Sequence, residues 1–296
     1  DCFDEAEVIK PIKPRYKIDK PIRLIELFAG VGAQAMALKK IGANFEHYRV
    51  CEIDKYAVKS YNAIHGTNFE PTDVTKLTGS DLGIVDTDKY CYMMFYSFPC
   101  TSLSVAGRME GMEEGSGTQS SLLWEVRRLI SECDELPQIL IMENVPQVHS
   151  SRNIINFEKW LMFLESKGYS TYYQDLNAKD YGVAQSRNRC FCISILGMQT
   201  YKFPEPIELN KCMKDYLEDD VDEKYYLTSD KAKNLIDKLI AGGAILNQTG
   251  IHTVDLTFSH GQTVEISNAI TSRYDAGICK HKYERSGVCE TIRLYR

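Results

Sequence analysis

The sequence predicts an α/β chain built on a doubly wound, mostly parallel sheet, with a smaller second domain after it. Three observations predict this. Short apolar runs alternate with helix-periodic segments from Arg23 to about Leu196. Two of the runs, 92–96 and 139–142, are apolar throughout, as strands covered on both faces are. The alternation then stops near Tyr201 and gives way to short segments punctuated by Thr and Gly.

Residues 1–21, with Pro11, Pro14 and Pro21, read as an irregular leader. Leu24–Phe28 is a strand, followed by the small-residue turn Ala29-Gly30-Val31-Gly32 and a helix from Ala33 to Ile41, which Gly42 stops. Tyr48–Ile53 is a second strand, and Asp54 opens another helix. Strands at 92–96 and 139–142 flank a helix over 122–133, and 155–164 forms a further helix with Trp160, Leu161 and Leu164 on one side. Residues 169–196 supply two β-rich segments around Asp180-Tyr181-Gly182. The expected division is therefore a domain over 22–200 and a second over 201–296, the latter with a helix near 229–240.

Of the 296 residues, 44% are hydrophobic and 26% charged, a balance that fits a soluble globular protein with a sizeable core. No apolar run reaches the roughly 18 residues of a membrane span, and no signal peptide opens the chain. A net charge of -6 argues against a protein coated in nucleic acid but leaves room for a local basic surface. The ten cysteines are scattered, with no pair of CxxC units. Reduced, mostly buried thiols in a cytoplasmic protein are expected, and no metal site is assigned; disulfides or a structural metal are the alternatives. Cys190 and Cys192 fall on one face of their strand.

The turn after the first strand suits a polar or anionic ligand, because Gly30 and Gly32 let it approach the backbone at a helix N-terminus. Glu52 follows at about the 20-residue spacing at which a carboxylate accepts both ribose hydroxyls. Asp73 could take an adenine amino group. Since Gly30-Val31-Gly32-Ala33-Gln34-Ala35 ends in Ala rather than Gly, the full dinucleotide fingerprint is not met.

Cys100 directly follows the run 92–96, held by Pro99 in Ser97-Phe98-Pro99-Cys100. A thiol at a strand's carboxyl end is placed to be a nucleophile. Gly107, Gly111, Gly115 and Gly117 then mark a loop built to move over it. Glu143 ends the next strand, at the same edge of the sheet. A thiolate adding to C6 of a pyrimidine, while an acid protonates N3, makes C5 a nucleophile toward a sulfonium methyl group. Partial burial of that acid would help it donate. Arg187 and Arg189, two apart in an extended segment, form a fork for a base carbonyl and a phosphate.

Taken in order over 22–196, these segments resemble the cytosine C5 DNA methyltransferases of bacterial or phage type. The similar motifs are Glu26-Leu27-Phe28-Ala29-Gly30-Val31-Gly32, Phe98-Pro99-Cys100, Glu143-Asn144-Val145 and Gln185-Ser186-Arg187-Asn188-Arg189. The resemblance implies the sheet of S-adenosylmethionine-dependent methyltransferases. It implies that cofactor bound by Phe28, Ala29, Gly30, Gly32, Glu52, Ile53, Asp73 and Pro99, and left as S-adenosylhomocysteine. It implies Cys100 as nucleophile, Glu143 as proton donor to N3, Arg189 on the base O2 and Arg187 orienting the pocket. A cytosine flipped from duplex DNA would lie under the 101–120 loop, with Ser102, Ser104 and Arg108 as contacts. Residues from 201 would form the target-recognition domain, where Arg273, Tyr274, Lys280, Lys282 and Arg285 are the candidate DNA contacts. A cytoplasmic enzyme of a bacterial or phage-infected cell, of the restriction-modification kind, is the implied setting.

The sequence departs from the family pattern in three places. Glu26 and Ala33 stand for the usual Asp and Gly, and Thr101-Ser102-Leu103-Ser104 stands where Gln-x-Phe-Ser is common. The family's last two motifs are not in the sequence, so a truncated chain, or one completed by a second polypeptide and poorly active alone, is expected. Three alternatives stay open: the transfer-RNA branch of the fold, a non-catalytic DNA-binding subunit, and a nicotinamide-dependent oxidoreductase. The last explains neither Cys100 nor the segment 185–189.

Overall fold

A computed structural model of the chain describes residues 16–103, 111–245, 250–256, 262–269, 286–290 and 293–295. It divides into two units, Asp1–Asp175 with Arg189–Phe203, and Leu176–Asn188 with Pro204–Arg296.

The first unit carries the sheet. β1 (Ile22–Leu27), β2 (Phe45–Cys51), β3 (Cys91–Tyr96), β4 (Ile139–Asn144), β5 (Tyr169–Asn177) and, after the two-residue β6 (Gln185–Ser186), β7 (Asn188–Leu196) are its strands. β6 stands outside this sheet, whose order is β2-β1-β3-β4-β7-β5. β1 runs parallel to both β2 and β3, and β3 parallel to β4, whereas β7 pairs antiparallel with β4. The chain winds from β1 outward to β2 and then crosses to β3 on the other side. Such a reversal opens a crevice beyond the carboxyl ends of the strands.

Strand alternation explains the two layers. Ile25, Leu27, Met94 and Leu140 face one core, shared with α3 (Leu123–Glu132) and α4 (Ile154–Ser166). Ile22, Leu24, Met93 and Ile139 face the other, closed by Ala35 and Leu38 of α1 (Ala33–Lys40). α2 (Lys55–His65) starts where Asp54 accepts from the Tyr56 and Ala57 backbone N–H groups, which satisfies donors otherwise orphaned in a first helical turn. Cys190 and Cys192 share a face and are both fully buried in the first core. The eight cysteines among the described residues are free thiols.

In the second unit, α5 (Asp230–Ala241) packs Leu235, Ile236 and Leu239 against Val254, Leu256 and Cys289. A four-stranded sheet of order β8-β12-β11-β9 (Tyr226–Leu227, Arg293–Tyr295, Ser286–Glu290, Ile251–Asp255) supplies the partner surface. The segment 176–188 joins this unit because its backbone is engaged there. β6 pairs with β10 (Ser267–Asn268), and Tyr181 bridges to Ile207. The chain passes between the two units three times, after Asp175, Asn188 and Phe203, the last close to the division near residue 201 expected from the sequence. A hydropathy profile carries no sign of such long-range pairing.

Candidate active site

The turn after β1 places every other residue in the left-handed region: φ is 60° at Phe28, 56° at Gly30 and 79° at Gly32. The Phe28 and Ala29 N–H groups donate to the Cys51 carbonyl, which fastens the turn to the end of β2. Glu52 holds it from the side, accepting from Gly30 N–H at Oε2 and from Asp54 N–H at Oε1, each at 2.9 Å. A carboxylate offers about four lone-pair sites, so two remain for a ligand. Ile53 is exposed. Asp73 does not follow a strand; it caps a single turn, Val74–Lys76, and accepts from the backbone and hydroxyl of Thr75. Those bonds hold its carboxyl below the usual range.

Beneath the turn lies Glu26, 1% exposed, whose carboxylate accepts from the Tyr61 hydroxyl at 2.5 Å. The same hydroxyl is 2.6 Å from His47 Nδ1. Burial pushes Glu26 up to about 7, against the opposing pull of the Tyr61 hydroxyl and the Ala35 N–H. The native state thus keeps a proton that the unfolded chain releases between about pH 4.5 and 7. Stability from this group is complete below pH 4.5 and lost as pH rises through 7, by about 3 kcal/mol. Glu26→Gln should remove that loss. Urea unfolding at pH 5 and pH 8.5 checks it, and an equal drop in variant and parent would contradict it.

On the other side of the crevice, β3 leads into Phe98-Pro99-Cys100. Cys100 is half-buried and packs against the first core. The buried Asn144 side chain donates to the Phe98 carbonyl at 3.0 Å, and the Ser120 hydroxyl to the Pro99 carbonyl at 2.8 Å. The Leu103 N–H closes a turn onto the Cys100 carbonyl. The backbone that carries the thiol is thereby held by β4 and by the segment before α3. Asn144 and Ser120 are functional supports to which the sequence reading gave no role. The Asn next to Glu143 at a strand end was the available signal.

Ser102 is 4% exposed, and its carbonyl accepts from Gly111 N–H. Beyond it, the Trp124 indole donates to the Met112 carbonyl and Thr118 to the Gly111 carbonyl. Ser104, Arg108, Arg273, Tyr274, Lys280, Lys282 and Arg285 lie outside the described residues.

Glu143 is one position from Asn144 on β4, which β3 neighbours directly. Its Oε1 pairs with Arg189 Nε at 3.0 Å, the two side chains being 26% and 18% exposed. A pair this shielded is far less screened than a surface one. Arg187 is in the second unit, where its N–H donates to Asn177 Oδ1 and its carbonyl accepts from Ala178.

Comparison with known proteins decides what this crevice belongs to. The family model described as C-5 cytosine-specific DNA methylase matches residues 22–293. The chain belongs to the C-5 cytosine-specific DNA methylases. It is 34% identical over 261 residues to the type II methyltransferase M2.ScrFI of Lactococcus lactis subsp. cremoris, covering 72% of each chain. It is 31% identical to the orphan methyltransferase M.SssI of Spiroplasma monobiae, covering 71% of this chain and 68% of that one. The fold is like that of the S. pombe Dnmt2 methyltransferase, with a TM-score of 0.57 at 21% identity, over 73% of this chain and 65% of that one.

Enzymes of this methylase family use S-adenosylmethionine, and the crevice fits it. A Cβ built on Gly30 meets nothing within 4 Å, so the backbone there is open to a ligand. Gln34 Oε1 is buried without a hydrogen-bond partner among the described residues, while its amide reaches Ser97 at 3.5 Å. An orphaned acceptor between the β1 turn and the β3 turn suits a ligand bearing an N–H donor. No described helix is long and apolar enough to cross a membrane.

Proposed function

We propose that the chain transfers a methyl group from S-adenosylmethionine to C5 of a cytosine flipped out of duplex DNA, through a covalent bond from Cys100 to C6. The observation that carries the reading is a half-buried thiol just past the end of β3, in a turn that Asn144 holds through the Phe98 carbonyl, with a carboxylate near the end of the neighbouring parallel strand.

Cys100 gives up its proton and bonds to C6, while the Glu143 carboxyl supplies a proton to N3. The C6 addition leaves C5 electron-rich. When bound, the cofactor supplies the electrophilic methyl group that C5 takes. A base then removes the C5 proton, the returning electron pair expels the Cys100 thiolate, and the N3 proton goes back to Glu143. Arg189 positions Glu143 through Nε and places a cation at the base carbonyl O2, with Arg187 orienting the pocket. Phe28, Ala29, Gly30, Gly32, Glu52, Ile53, Asp73 and Pro99 would hold the cofactor. Residues 201–296 would read the DNA, and Ser102, Ser104 and Arg108 would cover the base.

Incubation with methyl-tritiated S-adenosylmethionine and either duplex DNA or transfer RNA tests the substrate. The expected label is 5-methylcytosine in the DNA, identified after digestion to nucleosides. Label confined to transfer RNA would sink the DNA reading.

A further inference from the structure

Behind the Glu143 end of the sheet, three side chains of different chemistry meet. His149 ends the single turn Pro146–His149 that follows β4, Asp175 lies on β5 and Cys190 on β7. Their ligand atoms all fall within 4.8 Å of one another, and all three residues belong to the first unit. We propose that His149, Asp175 and Cys190 form a binding site for a single borderline-soft divalent metal ion, with zinc the fitting choice.

The donor set selects the metal. Imidazole, thiolate and carboxylate together suit zinc, whereas magnesium and calcium take oxygen ligands. Charge also balances, since Zn²⁺ with one thiolate, one carboxylate and a neutral imidazole is neutral overall. On binding, the Cys190 thiol proton passes to solvent and the sulfur bonds the metal; no electron transfer is involved. Three protein ligands leave a fourth tetrahedral position. The His149 and Asp175 side chains are 28% and 32% exposed, so water can reach it.

The site is largely assembled before any ion arrives. β7 is locked to β4 by its antiparallel ladder, in which Cys190 lies opposite Asn144, and β5 neighbours β7 in the sheet. His149 is oriented by ring contacts with Phe157 and Tyr173, at 6.1 and 5.8 Å between centroids. Without metal, Asp175 lies within 4.8 Å of the Cys190 thiol and 2.9 Å from His149 Nε2. A hydrogen-bonded His149–Asp175 pair beside a buried thiol is thus the competing account. It needs no thiol, however, to satisfy a His–Asp pair that is already in contact. The ligands stand at 149, 175 and 190, so no compact spacing motif announces them. A bound ion would tie the turn that follows Glu143 to β5 and β7, and its binding does not depend on the methyl-transfer reading.

Cobalt reports on such a site directly. The full chain, stripped with a chelator and titrated with Co²⁺, should bind one equivalent. It should show a thiolate-to-cobalt charge-transfer band and the intense visible bands of a tetrahedral ion, which Zn²⁺ then displaces. Cys190→Ser should abolish the charge-transfer band, while Cys100→Ser should retain it. Because Cys190 is fully buried and its variant can misfold, the partly exposed His149→Ala and Asp175→Asn carry equal weight, with circular dichroism confirming their fold. Each should weaken binding by more than the about 10–100-fold that loss of an outer-shell partner costs. Absence of stoichiometric binding, or a spectrum indifferent to the His149 and Asp175 variants, would overturn the proposal.

Discussion

Cys100→Ser is expected to abolish methyl transfer, lowering the rate by at least about 10³-fold, in line with removal of a covalent nucleophile in other enzymes. A serine hydroxyl at the same place holds its proton far more tightly than a thiol and adds poorly to C6. The substitution changes one half-buried atom, and the bonds that fix this turn come from the backbone: Asn144 to the Phe98 carbonyl and Ser120 to the Pro99 carbonyl. The variant should therefore fold and melt like the parent. A second readout separates chemistry from binding. Duplex DNA carrying 5-fluorocytosine has no C5 proton for a base to remove, so the adduct cannot resolve. The parent should form a covalent protein–DNA species on denaturing gels, and the variant should form none. Full methylation by Cys100→Ser would refute the nucleophile assignment whatever the gel shows.

The parts of this site that were legible in the sequence are those determined locally. The apolar run into Phe98-Pro99-Cys100 and the small-residue turn at 29–32 announce strand ends, and Asp54 announces the start of α2. What was not legible depends on neighbours distant in the chain. Period-2 alternation yields β7 as a strand but not its antiparallel place between β4 and β5, because direction is set by connections rather than by side-chain pattern. Asn144 could be quoted within a motif. Its role appears only when β3 and β4 are neighbours and its amide meets the Phe98 carbonyl. Glu26 read as a charge-retaining replacement of Asp. Its burial against Tyr61, and hence its proton, comes from α2 packing beneath the turn. The pairing of β6 with β10, which groups 176–188 with the second unit, likewise joins segments far apart in the chain.

Gly32→Ala should be the most destabilising single-methyl change in the β1 turn. Gly32 sits at φ 79°, a region that costs an L-residue about 1–2 kcal/mol. The added Cβ would also stand 2.4 Å from His65 Nε2 and 2.5 Å from Tyr61 Cε2. His65 can swing its ring aside, but Tyr61 cannot. It is fully buried, its hydroxyl donates to Glu26, and its ring packs edge-on to Phe69 and His47. Overpacking of this kind adds about 1–3 kcal/mol. A combined loss of about 3 kcal/mol is a large part of the roughly 5–15 kcal/mol that holds a domain together. In a chain of this size it should lower the melting temperature by about 5 °C. Gly30→Ala is the internal control. Its φ of 56° carries a similar backbone cost, but its Cβ meets nothing within 4 Å. The Gly30 variant should therefore melt about 2–5 °C above the Gly32 variant. Its added methyl would still intrude on the open backbone where the cofactor is proposed to lie, so its Kd for S-adenosylmethionine should rise. Equal melting temperatures for the two variants would show that Tyr61 yields to the methyl group, and that the turn is not braced from beneath by α2.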